Sequence, residues 1–384
     1  MKLIFASDSF KGSLSAPKIC DLLERVAARH FPDAQIVSIP VADGGEGTVD
    51  ALLRAIGGRR MQKFVNGPLF EMETAQWGML DDGVTAVIEM AQTSGLPYVP
   101  ASQRDPRKTT SLGLGQLIAE AIRHGARKLF IGIGGSATND GGIGMLQALG
   151  ATFTDTGGVP VQPVGGALKY IENVDFSGLL PELKETQITV ICDVTNPLLG
   201  ENGATFVYGP QKGATPQICD ELEAGMCHYA QMVSAAIGKD IASFPGAGAA
   251  GGMGAALGGV LNATLKSGID AVLDAVGFDK KLIGASLVIT GEGCMDGQSI
   301  RFGKVPVGVA RRCAARKVPV AAIVGSIGEG AASFFDLCES TIQTTVSGPM
   351  NLEQAMQNAS ALYEQAADRL FRAIKIGLHL KDSI

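Results

Sequence analysis

The sequence predicts an α/β protein with two domains, one of them built on a parallel sheet to which both chain ends contribute. Three observations carry this reading. Between Lys2 and Ile56, β-prone apolar runs alternate with polar glycine turns and helix-period segments, the pattern of strands that pair in parallel under helices. The same alternation returns from Leu282 (LIGASLVIT) to the end of the chain. Between them, Arg59 to Ala91 holds consecutive β-like runs (RRMQKFV, ETAQWGML, VTAVIEMA) with no helical pattern separating them. A chain of 384 residues also exceeds one typical domain. The expected division is 1–65 with 282–384 as a discontinuous α/β domain, and 66–281 as an inserted α/β domain.

In chain order, Lys2–Ala6 reads as a buried strand. SDSFKGSLSAP then leads into a helix from about Pro17 to His30, with serines available to cap it. Gln35–Val41 is a second strand, followed by ADGGEGT and a helix at Val49–Ile56. Further helices are expected at Ser111–His124, Pro216–Ile237, Gly251–Lys266, Lys304–Arg316 and Leu352–Ile376. Strands are expected at Gln187–Val194, Leu282–Thr290, Val318–Val324 and Thr341–Val346. Five strands from the two chain ends run into Gly-, Ser- or acid-bearing loops, which open α/β sheets gather at their carboxyl edge.

The stretch LFIGIGGSATNDGGIGMLQALGA, Leu129 to Ala151, reads as strand, polar glycine loop and helix. Its glycines, including Gly134 and Gly135, admit close approach of a ligand, and Ser136, Thr138, Asn139 and Asp140 supply hydroxyl, amide and carboxylate groups. The helix start is expected to offer free N–H groups to an anion such as a phosphate. GIGGSA also fits GxGxxA, with Asp155 near the spacing of a ribose-binding acid, so a dinucleotide fold stands as an alternative. Against it, Asp140 inside the loop would repel a pyrophosphate. The second glycine run, PGAGAAGGMGAALGG (Pro245–Gly259), suits close helix packing as well as phosphate contact. GQSIRFGK (Gly297–Lys304) fails as a Walker A loop, in length and in its following Val305.

Composition narrows the function. A net charge of −6 leaves no basic field for nucleic acid, and the N-terminal apolar run is too short for a signal or a membrane span. Seven scattered cysteines without a CxxC predict reduced thiols and a cytoplasmic protein. The four histidines lie away from the glycine loops, which argues against serine–histidine hydrolysis and histidine-ligated zinc. Carboxylates, by contrast, sit in nearly every loop: Asp8, Asp43, Glu46, Asp140, Asp193, Glu292 and Asp296. Together they suit Mg²⁺, and Lys11, Lys212 and Lys304 lie beside similar loops. Carboxylate, hard cation and lysine form the chemistry of phosphoryl transfer.

The blocks DSFKGSLSA (Asp8–Ala16), PVADGGEGT (Pro40–Thr48), IGIGGSATNDGG (Ile131–Gly142), CDVTNPLLG (Cys192–Gly200), GPQKGA (Gly209–Ala214), PGAGAAGGMGAAL (Pro245–Leu257) and ITGEG (Ile289–Gly293) span almost the whole chain. In this order they resemble the bacterial glycerate kinases, the type I glycerate 2-kinases. The resemblance implies transfer of the ATP γ-phosphoryl group to a hydroxyl of D-glycerate with Mg²⁺, the 2-position being favoured. It also implies a flavodoxin-like domain from the chain ends with a second domain inserted. One departure is Cys294, where the resemblance leads us to expect Arg after GEG; the segment 298–304 is one residue longer, and Arg301 is the available substitute.

On this reading Asp193, which ends a buried strand in a chain without a suitable histidine, accepts the hydroxyl proton, and Lys11 offsets charge on the transferring phosphoryl group. Asp43, Glu46, Glu292 and Asp296 hold Mg²⁺ or orient substrate. Asp8, Gly134, Gly135, Ser136, Thr138, Asn139, Asp140, Lys212 and Lys304 bind phosphate or glycerate. A homodimer is expected, with neither nucleic acid nor membrane as partner. The rival functions are a nicotinamide-dependent dehydrogenase of a small hydroxy acid and a noncatalytic small-acid-binding protein.

Overall fold

The computed structural model describes residues 1–42 and 47–381, without the side chains of residues 302 and 381. Eleven strands build its two main sheets: β1 (Lys2–Phe5), β2 (Gln35–Ser38), β3 (Gly58–Asn66), β4 (Met72–Leu80), β5 (Thr85–Glu89), β6 (Lys128–Gly132), β7 (Gln187–Ile191), β8 (Thr264–Lys266), β9 (Leu287–Thr290), β10 (Val320–Val324) and β11 (Ser340–Thr344). The chain separates into two units. The first comprises Met1–Asp43, Asp50–Gly57 and Gly268–Ile384; the second comprises Gly44–Val49 and Gly58–Ser267.

The first unit carries a five-stranded sheet in the order β11-β10-β9-β1-β2, every neighbouring pair parallel. Numbered within the unit, this is the 2-1-3-4-5 order of flavodoxin-like sheets, whose order reverses between the first and third strands. Its core joins Leu3 and Phe5 to Ile289 and Ile323, to Ile19, Leu23 and Val26 of the helix Ala16–His30, and to Tyr363, Leu370 and Phe371 of the helix Ala359–Lys381. Each fully buried large apolar side chain contributes roughly 1.5–3 kcal/mol. Ser15 caps the first of these helices, accepting a hydrogen bond from Lys18 N–H, as the sequence leads one to expect.

The second unit carries a mixed six-stranded sheet, β8-β7-β6-β5-β4-β3, parallel from β8 to β5 and antiparallel from β5 to β3. Its separate core centres on Trp77, Ile131, Met145, Phe153 and Tyr229, all with 0% exposure. The helix Pro216–Ile237 has the predicted bounds, with Thr215 as N-cap and Gly238 (φ 68°) as its left-handed stop.

Several local expectations change. The predicted helix Gly251–Lys266 is instead a helix Ala249–Ala255, a wide turn Ala256–Val260 and the strand β8, with Asn262 at φ 53° interrupting helical continuation. The terminal helix breaks at Asn358 into Leu352–Gln357 and Ala359–Lys381. Besides the short excursion of Gly44–Val49 into the second unit, the boundaries fall at 57/58 and 267/268, where 65/66 and 281/282 are expected. β3 pairs residue for residue with β4 along its whole length, which keeps 58–65 in the second sheet. The helix Gly268–Ala275 stays with the first unit because Arg312 bonds Asp270, Asp274 and Asp279 together, and because a Cβ on Gly308 would lie 2.4 Å from Ile269. No helix among the described residues is long and apolar enough to cross a membrane.

Candidate active site

The predicted site residues fall into two sets, one in each unit. In the second unit, β6 delivers the loop that follows it to the carboxyl edge of the parallel strands. Gly134 and Gly135 are exposed there, Gly135 at φ 73°, whereas Ser136 is 7% exposed and Thr138, Asn139 and Asp140 are fully buried.

The Asp140 carboxylate is hydrogen-bonded within the protein. Its Oδ1 accepts from Gly142 N–H (3.1 Å), and its Oδ2 accepts from Ser111 N–H (2.9 Å) and Ser111 Oγ–H (2.6 Å). Ser111 Oγ in turn accepts from Met145 N–H at 3.0 Å. Burial pushes the Asp140 carboxyl above its ordinary value, against the pull of these donors. The helix Ile143–Ala148 is only six residues long, and Asp140 and Ser111 already occupy N–H groups at its start. The expected anion cradle at that helix start is therefore a carboxylate cap within the protein.

Lys212 reaches the loop from the turn Pro210–Lys212, buried to 2% exposure, and donates from Nζ to Ser136 Oγ (3.0 Å) and to the Thr138 carbonyl (2.6 Å). Burial pulls its ammonium down to about 7, with the negative charge of Asp140 acting in the opposite direction. Asn139 Nδ2 donates to Thr205 Oγ1 at 3.2 Å; Thr138 Oγ1 and Asn139 Oδ1 are buried with no hydrogen-bond partner among the described residues.

Backbone packing holds the loop from below. A Cβ on Gly251 (φ 71°) would lie 2.1 Å from the Thr138 carbonyl, and one on Gly252 would lie 2.7 Å from Gly141 Cα. Gly141 N–H donates to the Gly251 carbonyl at 2.9 Å. The run Pro245–Gly259 thus supports the loop by close packing.

Asp193 follows the adjacent strand β7, whose Ile191 pairs with Gly132, and it is exposed at the same edge. Glu89, which the sequence reading missed, ends β5 opposite Gly132. It is 3% exposed, and its Oε1 accepts from Val49 N–H at 2.7 Å, tethering the segment downstream of ADGGEGT. A single acid closing the apolar run VTAVIE was the available signal. Asp155 instead caps a turn, accepting from Gly157 and Val159 N–H, each at 2.9 Å, which removes the support for a ribose-binding acid.

In the first unit, the loops after β1 and β9 flank the point where strand order reverses. Asp8 (7% exposed) donates its N–H to the Gly291 carbonyl at 3.0 Å, and Glu292 is 5% exposed. A Cβ on Gly293 would lie 4.0 Å from Lys11 N, so the Lys11 turn and the GEG turn pack together. Lys304 Nζ stands 3.9 Å from Glu292 Oε2. Asp296 caps the helix Gly297–Phe302: its Oδ1 accepts from Gln298 N–H (3.0 Å) and Ser299 N–H (2.9 Å), which hold its carboxyl below the usual range. Asp43 and Glu46 lie outside the described residues.

A family model described as the glycerate kinase family matches residues 3–375. The chain belongs to the glycerate kinase family. It is accordingly a kinase, a phosphotransferase with an alcohol group as acceptor. The chain is 46% identical to glycerate 2-kinase of Escherichia coli K12 over 378 residues, 98% of this chain and 99% of the relative. It is also 46% identical to the glycerate kinase of Bacillus subtilis 168 over 376 residues, 98% of each chain. A crystal structure from Salmonella typhimurium LT2, assigned as a glycerate kinase 2, matches with a TM-score of 0.90, 43% identity and 99% coverage of both chains. Family membership replaces the dehydrogenase and noncatalytic binding-protein alternatives.

Proposed function

We propose that this chain transfers the γ-phosphoryl group of ATP to the 2-hydroxyl of D-glycerate, releasing ADP and 2-phosphoglycerate. One observation carries the reading: the loops bearing Asp8, Lys11, Glu292 and Lys304 converge at the switch point of a 2-1-3-4-5 sheet, where open α/β sheets bind their ligands. We assign the nucleotide phosphates to this edge and glycerate to the Gly134–Thr138 loop beside Asp193. The name of the Escherichia coli relative favours the 2-hydroxyl. Seven unpaired thiols support a reducing compartment, the cytoplasm.

Asp193 accepts the proton of the attacking hydroxyl as its oxygen bonds to the γ-phosphorus, and ADP leaves with the electron pair of the broken bond. Lys11 and Lys304 balance phosphate charge, and Ser136 with Lys212 orients the acceptor. The donor chemistry of the first unit suits Mg²⁺: Glu292 is a buried carboxylate with hard oxygen donors, and one or two carboxylates with phosphate oxygens suffice. Asp296 is occupied as a cap, which leaves Glu292 as the described carboxylate of the proposed cation set. Bound Mg²⁺ would neutralise charge on the nucleotide phosphates.

Incubation with ATP, Mg²⁺ and D-glycerate, with the product identified by phosphorus and carbon NMR, is expected to yield 2-phosphoglycerate. Formation of 3-phosphoglycerate would refute the regiochemistry, and absence of a phosphorylated acid would refute the acceptor. Asp193→Asn is expected to lower kcat by about 10²–10⁴ with an unchanged circular dichroism spectrum. Near-wild-type turnover would remove Asp193 as the base.

A further inference from the structure

Arg104 is a half-buried cation whose charge no carboxylate balances in the described structure. Its Nε donates to the Val99 carbonyl at a long 3.4 Å, and its Nη atoms make no hydrogen bond to the described residues. Arg107, three residues on, instead spends its guanidinium on Asp105 (2.9 Å) and Glu221 (3.3 Å).

The segment ending in Arg104 packs against the Gly134–Thr138 loop at one end and against the turn that carries Lys212 at the other. Gly95 bridges Ser136, and Leu96 N–H donates to the Gly135 carbonyl at 2.9 Å. At the other end, the Arg104 carbonyl lies 2.3 Å from where a Cβ on Gly213 would be, beside Lys212. Ser136 Oγ accepts from Lys212 Nζ, so the hydroxyl retains its own proton for a ligand. An unspent guanidinium and a hydroxyl donor backed by the Lys212 amine are therefore carried on neighbouring segments, and Gly134 and Gly135 of the same loop are exposed.

We propose that Arg104 and Ser136 seat the carboxylate of the hydroxy acid, Arg104 through its paired Nη groups and Ser136 through its O–H, with Lys212 acting through Ser136. The proposal rests on the assignment of glycerate to this loop. A planar fork matches a carboxylate in two parallel hydrogen bonds, a geometry that lysine does not reproduce. A site built around such bonds also discriminates against an analogue that lacks the charge.

The test compares wild type, Arg104→Met and Arg104→Lys on D-glycerate and on glyceramide, which keeps both hydroxyls and replaces the carboxylate by an amide. Arg104→Met is expected to raise KM for glycerate about 10–100-fold, as loss of a charged hydrogen-bond pair does. KM for ATP should not change, and the glycerate preference over glyceramide should fall by a similar factor. Arg104→Lys should restore only part of the loss. Equal losses on both substrates, a raised KM for ATP, or an unchanged KM for glycerate would each overturn the proposal. If Arg104→Met fails to fold, judged by its thermal transition, Arg104→Lys provides the same substrate ratio. If wild type transfers no phosphate to glycerate, the functional reading fails separately, and calorimetric titration of D-glycerate into wild type and Arg104→Lys decides the seat: equal affinities or no binding would refute it.

Discussion

Lys212 combines two properties that water would keep apart, a charged group and complete burial. Its amine sits at about 7 in the folded chain against an ordinary 10.5 unfolded. Between these values the unfolded chain binds more protons, so this group's contribution to stability rises with pH; below about 7 its full penalty is present. The melting temperature of wild type relative to Lys212→Met is therefore expected to increase from about pH 6 to about pH 9, as the buried ammonium loses its proton. A difference that stays flat would show that Lys212 keeps an ordinary lysine pKa. Asp140 was legible as a residue of consequence but not in its role. Its spacing within TND placed it in the loop, whereas only the fold brings Ser111 from a distant helix start to occupy its Oδ2.

The two glycine runs form a paired device in which one backbone supports another. Gly251 and Gly238 share a left-handed conformation, φ 71° and 68°, but a Cβ on Gly251 meets the Thr138 carbonyl at 2.1 Å, while one on Gly238 meets nothing within 4 Å. Gly238→Ala should cost about 1–2 kcal/mol from backbone conformation alone. Gly251→Ala adds a clash with the Thr138 carbonyl, and its total should exceed about 3 kcal/mol. Thermal unfolding of both variants checks this; equal shifts would mean that the loop yields freely. The glycine density of both stretches was visible in the sequence, and so was the strand–loop–helix order at Leu129–Ala151. That the second run supports the first was not, because composition identifies permissive backbone without naming what approaches it.

Each unit has its own core, which gives the chain a testable autonomy. All the buried residues of the larger cluster lie between Val65 and Leu257, within the continuous segment Gly58–Ser267. A fragment of residues 58–267 is expected to show native-like circular dichroism and a cooperative thermal transition. A fragment of residues 1–57 should be disordered, since β1 pairs on one side with β9 from the far end of the chain. A molten 58–267 fragment would show that its core depends on the other unit.

Local chemistry settled many of the elements, because hydrophobic period, caps and glycine stops act over a few residues; the helix Pro216–Ile237 and the strands ending in polar loops follow from it. The ordered motif blocks likewise carried the family. Only the tertiary structure decided which chemistry-bearing groups meet: Lys212 on Ser136, Glu89 under Val49, Arg104 beside Gly213, and Asp296 turned to its own helix start. Such meetings depend on sheet order and on backbone packing between distant segments, and the number of residues separating two groups does not record how closely folding brings them together.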